Sequence, residues 1–127
     1  MFDDCLLGET DFSFADCRKA HFNQCELVLA SFRDADCADV IFNVGPHSSI
    51  HAVLAGCSFV NTKLDRAKFE CVLRETDFKG ASLIETDFSE ASGLKEEELT
   101  KAKTLYHAKF RKDLAAELHY RTEWDPH

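Results

Sequence analysis

Thr10-Asp11-Phe12-Ser13-Phe14-Ala15-Asp16-Cys17-Arg18-Lys19-Ala20-His21-Phe22 is the stretch that decides the fold. Its large apolar positions, Phe12, Cys17 and Phe22, recur every five residues, and a small residue (Thr10, Ala15, Ala20) stands two places before each. A helix repeats at 3.6 residues and a strand at 2, so neither explains this spacing. Working outward, the large position runs without a gap through Phe2, Leu7, Phe12, Cys17, Phe22, Leu27, Phe32, Cys37 and Phe42. The pattern breaks over residues 43–51, where Gly45-Pro46 and Ser48-Ser49 signal a loop. It resumes at Leu54, Phe59, Leu64 and Phe69, drops one residue near Glu70, and continues through Leu73, Phe78, Leu83 and Phe88. Nine of the 11 Phe hold the large position, where random placement leaves about one in five.

Large residues 20 positions apart match in kind: Phe2, Phe22 and Phe42; Leu7 and Leu27; Phe12 and Phe32; Cys17 and Cys37. After the break the same matching occurs at 19, with Leu54 over Leu73 and Phe59 over Phe78. Like stacks on like when four five-residue sides close one coil and coils lie about 4.8 Å apart. One coil cannot bury its own inward face, so neighbouring coils must stack. The units Ala15-Asp16-Cys17, Thr76-Asp77-Phe78 and Thr86-Asp87-Phe88 resemble the repeat motif of the pentapeptide-repeat family, and the resemblance covers residues 2–93. It implies an all-β fold, a right-handed quadrilateral parallel β-helix, here a solenoid of about 4–5 coils.

The expected organisation is a β-helix over residues 1–93, interrupted by the 43–51 loop, and a short α-helical C-terminal cap over 94–127. From Leu94 the spacing turns helical: Leu99, Ala102 and Tyr106 share one face, and Phe110, Leu114 and Leu118 another. Glu96, Glu97 and Glu98 suit a helix N-terminus. Such a cap covers the last coil, since an open solenoid end exposes apolar side chains and strand edges. The first coil has no cover in the sequence, so Phe2, Leu7 and Phe12 are expected to face outward along the axis and to receive a second copy of the chain.

Net charge is −8. Residues 1–42 hold nine acids and three bases, net −6, whereas residues 95–127 hold seven of each. Nucleic-acid binders carry a basic stripe, so direct nucleic-acid binding is not expected. No apolar run of about 18 residues occurs, and the N-terminus has no apolar signal-like region, which predicts a cytoplasmic protein without a membrane span.

All six Cys (Cys5, Cys17, Cys25, Cys37, Cys57, Cys71) fall in inward slots and read as small buried hydrophobes. A metal or nucleophilic role, or a Cys5–Cys25 bridge, is the competing reading. His47 and His51 in the loop are a sparse pair for a metal, and no metal or cofactor is assigned. Asp11, Asp16, Asp36, Asp77 and Asp87 suggest local hydrogen bonds to backbone near corners rather than acid–base work. No nucleophile elbow, phosphate loop or metalloprotease motif occurs. No catalytic residue is therefore assigned, and the chain is not expected to be an enzyme.

The outward apolar residues include Leu6, Val28 and Leu29 on one wall, Phe14 on the next, and Ile41, Val53, Val60 and Val72 elsewhere. Leu6, Val28 and Leu29 are the expected contact surface for a protein partner or for the 43–51 loop to pack on. The function expected from these features is a non-catalytic interaction or structural scaffold. The family resemblance implies an alternative, a DNA-mimicking acidic rod that regulates a DNA enzyme such as DNA gyrase.

Overall fold

A computed structural model describes residues 2–3, 5–43, 54–111, 114–115, 118 and 121–123. The chain winds as a four-sided solenoid. One side is a parallel sheet of short strands in the order β1 (Phe2–Asp3), β2 (His21–Asn23), β3 (Ile41–Asn43) and β4 (Lys68–Glu70). Phe2 pairs with Phe22, Phe22 with Phe42, and Phe42 with Phe69. The other three sides are single parallel bridges: Leu6 with Glu26 on side 2; Asp11, Ser31, Ser58 and Asp77 on side 3; Asp16, Asp36, Lys63, Ser82 and Thr104 on side 4. The expected right-handed β-helix is thus the architecture, with the short helix α1 (Glu96–Leu99) set into its later part.

Each five-residue side owes its length to a β-turn. The carbonyl of the large residue accepts the N–H three residues on, as in Thr10 N to Leu7 O (3.1 Å), Ala35 N to Phe32 O (3.0 Å) and Ala67 N to Leu64 O (3.0 Å). The third residue of these turns, Glu9, Asp34 and Arg66, has φ of 60°, 58° and 61°, the mark of a type II turn. Small side chains must follow because the next residue turns back into the axis beside its large neighbours. At several small slots that hold Thr or Cys, the polar atom is satisfied by the adjacent coil. Thr62 Oγ1 donates to Phe32 O (2.6 Å), Thr86 Oγ1 to Leu64 O (2.8 Å), and Cys57 Sγ to Leu27 O (2.8 Å).

The core is a herringbone of phenylalanine. Phe2, Phe22, Phe42, Phe69, Phe88 and Phe110 stack on side 1, from 4.8 Å (Phe2–Phe22) to 5.3 Å (Phe88–Phe110) between ring centroids. Phe12, Phe32, Phe59 and Phe78 stack on side 3. The two columns meet edge-to-face across the axis, for example Phe32 and Phe42 at 5.7 Å and 81°. Each buried ring contributes about 1.5–3 kcal/mol by leaving water, and each well-oriented pair about 0.5–1.5 kcal/mol more. Leucines, with Cys17 and Cys37, line sides 2 and 4.

The structure joins the two sequence tracts. Phe42 to Phe69 spans 27 residues against 20 for Phe22 to Phe42, yet the register is unbroken. Asn43, expected in the loop, is the last residue of β3 and pairs with Glu70; the rest of the loop, with His47 and His51, lies outside the described residues. The one-residue deletion near Glu70 leaves the ladders in phase, since Ser58 pairs with Asp77 and Lys63 with Ser82 at a spacing of 19.

The expected helical cap from 94 needs correction. Only α1 (Glu96–Leu99) is a helix within residues 94–111. It forms part of side 3 of the fifth coil, and Leu99 is fully buried. The coil then resumes: Thr104 pairs with Ser82, Lys109 with Asp87, and Phe110 stacks on Phe88 at 5.3 Å. Leu105 and Phe110 are therefore rungs of the ladders rather than faces of a helix. The physical reason is that stacking on Leu83 and Phe88 buries these side chains, whereas a surface helix would leave the last rungs bare. Beyond them, Leu114 N and Ala115 N bond back to Arg111 O (3.1 and 2.8 Å), a helical turn, and Leu118 is fully buried.

Candidate interaction surface

With the axis filled by side chains, whatever this molecule recognises meets its outer sides. The aspartates before the large slots are held by the turns themselves. Asp11 Oδ1 accepts the N–H of Ser13 (2.8 Å), Asp16 Oδ1 that of Arg18 (3.1 Å), and Asp36 Oδ1 that of Ala38 (3.2 Å). Asp77 Oδ1 does the same for Lys79 (3.0 Å) and Asp87 Oδ1 for Ser89 (2.9 Å). These are Asx turns, and they give the repeat's aspartates a structural role. Asp65 is buried, and its Oδ1 accepts from Ser82 Oγ (2.6 Å) and Ile84 N (3.2 Å).

At Asp11, Asp16 and Asp87 the surroundings favour the charged carboxylate. The Arg18 side chain holds Asp16 down at about 2. The Ser13 hydroxyl and N–H lower Asp11, and Arg66 lowers Asp39. At Asp87 desolvation pushes upward, but the Ser89 hydrogen bonds and nearby lysines outweigh it. In each case the folded pKa lies below the unfolded value, so between them the unfolded chain binds more protons. Stability supported by these groups is present above about pH 4 and lost as pH falls toward about 2. The urea midpoint is expected to drop through that window, and Asp16→Asn to lessen the drop at its acid end. A midpoint unchanged down to pH 2 sinks this assignment.

Charges alternate along the corner between sides 4 and 1. Lys19, Asp39, Arg66 and Glu85 follow one another coil by coil, each N–H bonded to the next coil. Arg66 clasps Asp39 with two bonds of 3.0 and 3.2 Å. Side 4 runs Asp16, Asp36, Lys63, Ser82 and Thr104, two acids before its base. Arg18 partly offsets those two acids, bridging Asp16 (2.7 Å) and approaching Asp36 (3.9 Å).

Five of the six thiols are buried and none forms a disulfide. Burial pushes the Cys57 thiol up to about 12 and raises Cys71. The neighbouring Cys17 thiol, with burial, raises Cys37, and Cys37 in turn lowers Cys17. The raised thiols of Cys37, Cys57 and Cys71 are poor nucleophiles. His21 Nε2 is buried without a hydrogen-bond partner. Among the described residues no three His, Cys, Asp or Glu side chains converge as metal ligands, and no helix is long and apolar enough to cross a membrane.

The proposed contact wall separates on inspection. Leu6 is 81% exposed and Leu29 57%, but Val28 is half-buried, and the bridge partner of Leu6 in the next coil is Glu26. Phe14, on the neighbouring corner, is 78% exposed. Phe2, at the axial end, keeps 37% of its surface, and Leu7 and Phe12 are half-buried. The sequence picks out these residues as outward but not the backbone beneath Phe14 and Leu29, where φ is 63° and 62°. Their position as the third turn residue was the available signal.

The family model for pentapeptide repeats matches eight copies over residues 10–43 and 70–92. These residues are pentapeptide repeats. Among solved structures this pentapeptide-repeat chain is similar to HetL, a pentapeptide repeat protein involved in heterocyst differentiation regulation in the cyanobacterium Nostoc sp. strain PCC 7120. That likeness has 24% identity and a TM-score of 0.31, and covers 84% of this chain but 35% of HetL. A pentapeptide repeat protein of the Arabidopsis thaliana thylakoid lumen is 16% identical, TM-score 0.32, with 92% and 76% covered. QnrB1, a plasmid-mediated fluoroquinolone resistance protein, is 20% identical in a trypsin-treated R167E form, TM-score 0.34, with 95% and 67% covered. Among curated proteins none matches the chain. Pentapeptide-repeat proteins are generally non-catalytic, and these likenesses carry no site across.

Proposed function

We propose that this pentapeptide-repeat solenoid is a non-catalytic scaffold that binds another protein through its outer sides. The observation that carries the reading is the outward exposure of Leu6, Phe14 and Leu29, while the phenylalanine and leucine ladders of the described residues lie in or against the core. A rigid surface with fixed apolar points lowers the entropy lost on docking. The acidic excess repels phosphate backbones, so the partner is a protein rather than nucleic acid.

The test is capture of a partner by the immobilised full chain, followed by cross-linking to locate the contacts. One saturable partner cross-linked to outward residues is expected. A chain that retains no partner saturably, or that turns over a substrate, overturns the scaffold reading.

One observation favours a second reading: the net −6 of residues 1–42 agrees in sign with DNA mimicry toward an enzyme such as gyrase. DNA presents about one charge per 1.7 Å, in dense array, whereas here the corner column Lys19, Asp39, Arg66 and Glu85 alternates base with acid and side 3 spaces Asp11 and Asp77 with two serines. A supercoiling assay separates the two, because neither inhibition nor protection by tens of micromolar protein removes the gyrase reading.

A further inference from the structure

Four large apolar residues are exposed among those described, and all lie in the first two coils: Phe2, Leu6, Phe14 and Leu29. Phe2 belongs to the end of a core ladder, and the other three point outward. Phe14 and Leu29 also stand on left-handed backbone. That conformation is unfavourable for any L residue with a bulky side chain, and the other ten non-glycine residues that adopt it among the described residues are polar or charged. Two bulky apolar residues on strained backbone, largely unburied, gain little for folding. Strain held at the surface points to a role in binding.

Their surroundings define the partner. Leu6 bridges to Glu26 in the next coil. Glu9 is the corner residue one coil before Leu29, as the bonds Glu9 N to Val28 O (2.9 Å) and Leu29 N to Ala55 O (3.0 Å) show. Phe14 N bonds to Arg33 O, which sets Asp34 at the corner after Phe14. Each exposed apolar side chain thus has an acid at the equivalent place one coil away. Arg33, the nearby base, is paired with Asp34 at 3.6 Å; among the described residues no ion pair is formed by Glu9 or Glu26. The Leu29 side chain lies over Gly56, where an added Cβ would stand 2.7 Å from its Cδ2. The corner of the third coil is therefore kept bare beneath it.

We infer that sides 2 and 3 of the first two coils dock a basic amphipathic protein segment. Its apolar side chains seat on Leu6, Phe14 and Leu29, and its Lys or Arg residues meet Glu26, Asp34 and Glu9. This deepens the scaffold reading and rests on it. Charge complementarity selects the occupant: a second copy would bring the same acids together, and an anionic membrane would be repelled.

The probe is a synthetic peptide of about 18 residues with Leu on one helical face and Lys on the other, followed by fluorescence anisotropy with the full chain. The wild type is expected to bind it, and not to bind the same peptide with Glu in place of Lys. Combining Phe14→Asn with Leu29→Asn should weaken binding at least about tenfold while leaving the thermal midpoint equal or higher, because Asn tolerates left-handed backbone. Glu9→Gln with Glu26→Gln should weaken binding chiefly at low salt. Equal affinity of the wild type and the Asn variant for the Lys peptide overturns the inference, as does a wild type that ignores the Lys peptide. A captured partner cross-linked only to sides 1 and 4 would keep the scaffold and discard this surface.

Discussion

Phe59→Ala is expected to destabilise the protein by about 3–5 kcal/mol in urea unfolding. Phe59 is fully buried at the centre of the herringbone. It stacks on Phe32 at 5.1 Å and Phe78 at 5.5 Å and meets the edges of Phe42 and Phe69 at 5.8 and 5.7 Å. Truncation opens a cavity that the stacked backbone cannot close, because each side is pinned above and below, as by Phe59 N to Asp77 O (2.7 Å) and Phe32 N to Ser58 O (2.8 Å). Phe2→Ala is the control. Phe2 has a stacked neighbour on one side, Phe22 at 4.8 Å, and is already 37% exposed; its loss should be about 1 kcal/mol. Equal losses at the two positions would mean that the rings do not act as a continuous column.

The second large effect is overpacking. Ala67 is fully buried in a small slot, with its N–H bonded to Leu64 O (3.0 Å) and its carbonyl accepting from Asp87 N (2.9 Å). Ala67→Leu adds three carbons where the backbone is fixed on both counts, and is expected to lower stability by about 1–3 kcal/mol or more. The neighbouring Lys68→Leu faces outward and should change it by no more than about 0.5 kcal/mol. The comparison isolates the slot from hydrophobicity as such. An Ala67→Leu protein with the wild-type urea midpoint would show that the small positions are a habit of the repeat and not a packing requirement.

Much of this fold is legible in the residues. Phe22, Phe32, Phe42, Phe59, Phe69, Phe78 and Phe88 are all fully buried where the five-residue register puts them. The five aspartates singled out as local hydrogen-bonders bind the backbone two residues on. Residues 100–110 are the part that the helical spacing misplaces, because Ala102 and Tyr106 also fit a helical face with Leu99. Leu105 and Phe110 stand five apart, with Ala108 two before Phe110, a faint return of the repeat that Tyr106, His107 and Lys109 between them disguise.

What the sequence determined by itself is the unit: five residues, one large and one small side chain inward, a polar turn outward. That follows because each unit is a local solution, a turn whose hydrogen bonds and left-handed corner depend only on its own residues. The tertiary structure alone decided how the units meet. It carried the Phe42 column across the insertion onto Phe69, took α1 into the fifth coil, and gave Phe110 a place over Phe88. Stacking depends on where the chain returns after a detour, and no local pattern states how many extra residues a corner can absorb. The same holds at the surface. That Phe14 and Leu29 point outward is plain from the register, but that each has an acid one coil away depends on which coils lie side by side.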